Sequence, residues 1–103
     1  MNNPILFLIY NRPKETAISF EQIRINQPSE LFIAADGADI SKPHDEIRCR
    51  AVREIVANID WPCQVKYLLR DEHLGAREGV SNAIKWFFEH VNEGIIIEDD
   101  CVV

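Results

Sequence analysis

Four short apolar runs, separated by three longer segments with helical spacing, constrain this chain more than any other feature. The runs are residues 5–10 (ILFLIY), 31–35 (LFIAA), 65–69 (VKYLL) and 95–97 (III). Runs that stay apolar instead of alternating suit strands covered on both faces, as in parallel sheets. Lys66 marks the third run as less completely buried.

The intervening segments read as helices. Pro13 suits a first helical turn, where its missing N–H costs nothing, and a helix is expected between residues 14 and 27. Its apolar face would be Ala17, Phe20 and Ile23, with Ile18 and Ile25 at the flanks. A second helix carries Ile47, Ala51, Val52, Ile55, Val56 and Ile59, and Asp60-Trp61-Pro62 ends it because proline disfavours a helical predecessor. The third stripe is the cleanest: Val80, Ala83, Ile84, Phe87, Phe88 and Val91. Gly94 is expected in the left-handed position beyond that helix.

The order β-α-β-α-β-α-β predicts an α/β domain with a mostly parallel sheet flanked by helices. In such sheets ligands bind beyond the carboxyl ends of the strands. Four polar segments follow the strands and should gather there: Asn11-Arg12, Asp36-Gly37, residues 70–75, and Glu98-Asp99-Asp100.

Composition narrows the partners. At 103 residues, the chain suits one domain with a single core, and a formal charge of −6 argues against nucleic-acid or anionic-membrane surfaces. No apolar run reaches membrane-spanning length, and the N-terminus lacks a basic leader. Three cysteines, Cys49, Cys63 and Cys101, have no CxxC spacing and read as free packing thiols, so a cytoplasmic location is expected.

Three successive carboxylates at a strand end repel one another unless a hard divalent cation, Mg2+ or Mn2+, relieves them. An isolated EDD is equally often a solvated acidic turn. Arg12 offers a guanidinium fork for phosphate beside a helix start, or is a surface arginine. Asp36 is an acceptor for a base or ribose, or a turn residue before Gly37. Gly75 allows close backbone approach and Arg77 reaches from the third helix, or both belong to an ordinary helix start. His44, His73 and His90 show no metal-ligand spacing and are expected at the surface.

Taken together, residues 4–13 (PILFLIYNRP), 31–37 (LFIAADG), His73-Leu74-Gly75 followed by Ser81-Asn82-Ala83-Ile84, and 95–100 (IIIEDD) resemble GT-A nucleotide-diphospho-sugar glycosyltransferases. The last has the EDD form of N-acetylglucosaminyltransferase I-type enzymes, and the whole is similar to bacterial hemolysin-like glycosyltransferase domains. The resemblance implies a Rossmann-like GT-A N-terminal half over residues 1–103 that binds a UDP-linked sugar. Asn11, Gly37, Gly75 and Arg77 would join the donor site, with Arg12 at the diphosphate and Asp36 at the base. Glu98 and Asp99 would serve ribose and sugar, and Asp100 the metal.

A complete family member transfers the sugar to an acceptor hydroxyl. The acceptor site and catalytic base lie beyond the acidic motif in the family, so this chain is expected to bind donor and transfer poorly, with self-association through an uncovered apolar face. The alternatives are a regulatory α/β module with a metal-binding acidic cluster, or a non-catalytic domain keeping the fold. A receiver-like module would place an acidic pair where Asn11-Arg12 stands.

Overall fold

The computed structural model describes residues 3–99 and follows the expected order. The elements are β1 (Ile5–Ile9), α1 (Pro13–Asn26), β2 (Glu30–Ala35), α2 (Asp45–Val56), β3 (Gln64–Leu69), α3 (Gly75–His90) and β4 (Ile95–Glu98). The four strands form one sheet in the order β3-β2-β1-β4, and every pairing is parallel. No helix among the described residues is long and apolar enough to cross a membrane.

Strand alternation divides the core into two layers. Ile5, Phe7, Ile9, Leu31, Ile33 and Ala35 face α1 and α2, where they meet Phe20, Ile23, Val52 and Val56. Leu6, Leu8, Phe32 and Ala34 face α3 and meet Ala83 and Phe87. All five residues of β1 are buried, which explains its unbroken apolar run. The outer strands are not: Tyr67 and Leu69 on β3, and Ile95 and Ile96 on β4, are each at least 39% exposed.

Hydrophobic patterning placed Phe20 and Ile23 on the inner face of α1 correctly but rotated the rest of that face. Ala17 is exposed, whereas Thr16 and Ser19 are buried beside Phe20 and Ile23. The reason lies outside the helix: the Ser19 hydroxyl donates to the carbonyl of Asp99 at 2.8 Å, where the chain leaves β4. A small polar side chain is therefore favoured where α1 crosses the sheet end. Ile47 on α2 is also exposed, and Ile59 packs on the core from beyond the helix.

Gly94 does not take the left-handed position expected of it, because α3 passes into extended backbone at Val91. Crowding accounts for the glycine instead. A Cβ there would collide with the Phe87 ring and lie 2.8 Å from the carbonyl of Pro4. Gly94→Ala should lower stability by about 2 kcal/mol in urea unfolding. A loss below about 0.5 kcal/mol would mean that the Phe87 ring yields freely.

Cys49 is buried at 4% exposure, and burial, ahead of the nearby Asp45, pushes its thiol up to about 11. It is a packing residue with little thiolate at neutral pH.

Candidate functional site

The chain steps from β1 to β2 to β3 in one direction, then returns through α3 to place β4 on the other side of β1. Strand order therefore reverses at β1, and a crevice opens beyond the carboxyl ends of β1 and β4, as doubly wound sheets require. A cavity of about 600 Å³ occupies this edge. Its walls bring together Asn11 and Arg12 after β1, Asp36 after β2, Arg70 and His73 after β3, and Glu98 and Asp99 after β4. Gly75, Ala76 and Gly79 of α3 form a side with little steric bulk, and Lys42 joins from the β2–α2 connection.

Six of the expected site residues line this cavity directly: Asn11, Arg12, Asp36, Gly75, Glu98 and Asp99. Gly37 and Arg77 do not. Gly37 is buried against the backbone of Glu72, so close that a Cβ would lie 2.5 Å from its carbonyl carbon. Arg77 is exposed on α3. Asp100 and Cys101 lie outside the described residues.

Asp36 is the centre of one hydrogen-bond system. Its Oδ1 accepts the backbone N–H groups of Gly37 at 2.9 Å and Leu74 at 2.8 Å. Its Oδ2 accepts the N–H of Gly75 at 3.0 Å and lies 3.0 Å from His73 Nδ1. Leu74 and Gly75 open α3, so the carboxylate satisfies N–H groups that a helix start leaves unpaired and offsets the positive end of its dipole. Gly75 has φ +88°, a conformation that glycine takes without the Cβ penalty. The Arg53 guanidinium reinforces the arrangement, with Nη2 donating to the carbonyls of Arg70 at 2.6 Å and Asp36 at 3.3 Å. Helix α2 is thus tied to the ends of both β2 and β3.

Asp45 is the centre of a second system. It is fully buried, accepting the Tyr10 hydroxyl at 2.5 Å, Asn11 Nδ2 at 2.6 Å and the N–H of Asp39 at 2.8 Å. Burial alone would push this carboxyl up. The Tyr10 hydroxyl, the Asp39 N–H and the Asn11 amide outweigh it and hold the group down at about 2. Burial, then the Asp45 carboxylate, push the Tyr10 phenol well above its usual range, which keeps it a donor. The Tyr10 ring lies 5.0 Å from that of His73, so the two systems meet at the cavity wall.

His73 corrects the expectation of a surface histidine: it is partly buried, held by Asp36 and by the carbonyl of Gly37 at 3.0 Å. Sequence reasoning also passed over Tyr10, Lys42 and Asp45. Their only sequence signal is position, at a strand end or in the loop that closes over it. Asp45 in particular reads as an acidic residue of a first helical turn.

The arrangement sorts by charge. Neither Lys42 nor Arg70 makes an ion pair with a carboxylate among the described residues, so two cavity cations are open to an anionic ligand. Glu98 and Asp99 supply carboxylate oxygens at the opposite strand. No described cluster of three acidic, histidine or cysteine side chains is positioned to hold a metal ion. Magnesium commonly takes only one or two carboxylates, with water and substrate phosphates completing its shell.

No known protein family, curated protein or solved structure matches the chain.

Proposed function

We propose that this cavity binds a nucleotide-diphospho-sugar, UDP-linked, with Mg2+ or Mn2+, as the donor site of a GT-A-type glycosyltransferase. One observation carries the reading. Arg12, Lys42 and Arg70 share a single crevice with Glu98 and Asp99 at the point where strand order reverses. A diphosphate requires cations, and a bridging metal requires hard oxygen ligands beside them. The cavity also falls within the roughly 300–1,000 Å³ typical of small-molecule sites.

In this reading Arg12 and Lys42 neutralise phosphate oxygens, Glu98 and Asp99 serve the ribose and sugar, and Asp100 would bind the cation. The metal supplies Lewis-acid stabilisation of the departing nucleoside diphosphate. Transfer to an acceptor hydroxyl is the activity of the glycosyltransferases that the sequence resembles. A phosphorylated receiver-like module fits less well, because the residues after β1 are Asn11 and Arg12 and the nearby Asp45 is sealed from solvent.

Calorimetric titration of UDP with and without Mn2+ tests the proposal. Binding should depend on the metal, weaken at least about tenfold in Arg12→Ala, and be lost in Asp100→Ala. Absence of UDP binding to the unmodified chain under both conditions would sink the donor reading.

A further inference from the structure

In the glycosyltransferases that the sequence resembles, the aspartate ending the second strand would meet the base, and Asp36 holds that position. Its carboxylate is already largely committed within the protein. A carboxylate offers about four lone-pair sites, and three backbone N–H groups already point at these two oxygens, Gly37 and Leu74 at Oδ1 and Gly75 at Oδ2, with His73 Nδ1 3.0 Å from Oδ2. Recruiting either oxygen to a ligand would compete with the N–H groups at the start of α3. The side chain is also only 11% exposed.

Asn11 is differently placed. It lines the same cavity, next in sequence to Tyr10, whose ring rests near His73. Asp45 already receives the Tyr10 hydroxyl and the Asp39 N–H, and a carboxylate only accepts, so the Asn11 amide must turn its nitrogen toward it. The carbonyl end is thereby directed away from Asp45 and has no hydrogen-bond partner among the described residues. Lys42 and Arg70 add donors to the same cavity. An acceptor accompanied by donors complements the imide edge of uracil, which presents one N–H between two carbonyl oxygens.

We propose that Asn11, oriented by the buried carboxylate of Asp45, accepts the ligand's imide N–H in this cavity, while Asp36 serves the protein as the anchor of α3. The assignment rests on the donor reading above and names the residue that selects the base. Asn11 touches the ligand; Asp45 acts through Asn11 and is a positioning residue.

The test compares UDP with N3-methyl-UDP in the presence of Mn2+, on the unmodified chain, Asn11→Ala and Asp36→Asn. The methyl group removes the imide N–H, leaving the Asn11 carbonyl unpaired in the complex. The unmodified chain should therefore bind the analogue at least about tenfold more weakly. In Asn11→Ala the ratio of the two affinities should fall to near one, and in Asp36→Asn it should persist even as stability drops. This ratio is insensitive to the fraction of molecules folded, so a destabilised variant still reports.

Discrimination that survives Asn11→Ala, or that vanishes in Asp36→Asn, would overturn the assignment, as would an unmodified chain that binds both nucleotides equally. Failure of the unmodified chain to bind UDP removes the donor reading itself, and this assignment with it.

Discussion

Asp45→Ala should cost the fold about 3–5 kcal/mol in urea unfolding at neutral pH, among the largest losses available to a single substitution in this chain. The carboxylate is fully buried and serves three donors from three places: the Tyr10 hydroxyl, the Asn11 amide and the backbone of Asp39. Truncation strands all three, and a buried unpaired group costs about 1–3 kcal/mol.

The pH dependence has a definite sign, and comparison with the variant assigns it to Asp45. A carboxyl held at about 2 in the fold, against its ordinary 3.8, stabilises the protein wherever it is ionised in both states. That contribution, about 2 kcal/mol, is complete above the unfolded value and disappears as pH falls through about 2. Denaturation curves at pH 7 and pH 2.5 or so should therefore differ less in Asp45→Ala than in the unmodified chain. A stability loss under about 1 kcal/mol would show that water replaces the carboxylate and that the buried contact is not a strut.

Asp36→Ala should remove about 2–4 kcal/mol, through a different mechanism. Three backbone N–H groups lose their acceptor, two of them at the opening of α3, and His73 loses its carboxylate neighbour. Since α3 is the helix among the described residues that covers the second core layer over Phe32 and Ala34, fraying at its start loosens one side of the cavity. Hydrogen exchange resolves this locally: amides at Leu74 and Gly75 should lose protection before those around Ala83 and Phe87. Uniform loss along α3 would place the anchor elsewhere. Asp36→Asn should fall between, since the amide keeps one acceptor oxygen but turns an N–H toward donors.

The two carboxylates show where sequence reasoning stops. Asp36 stood out because it follows an apolar strand, and it does reach the cavity, but its partners Leu74, Gly75 and His73 lie more than 35 residues away. Nothing local announces that its oxygens are already largely committed. Asp45 carried no signal at all, because an acidic residue in a first helical turn is ordinary. Its burial follows from β1 and the β2–α2 connection closing over it. Arg12, Glu98 and Asp99 were accessible from sequence because strand ends in a parallel sheet converge whatever the details of packing.

Apolar spacing alone determined the element order and the buried status of β1 and β2, since a central parallel strand must be apolar on both faces and that requirement is local in the chain. Tertiary structure decided which polar groups face the cavity and which are consumed by the protein. It buried Ser19 against the chain leaving β4, kept Gly94 small against Phe87, spent Asp36 on the start of α3, and left the Asn11 carbonyl without a described partner. Hydrogen-bond satisfaction is settled by partners distant in sequence, and only the closed fold brings those partners within reach.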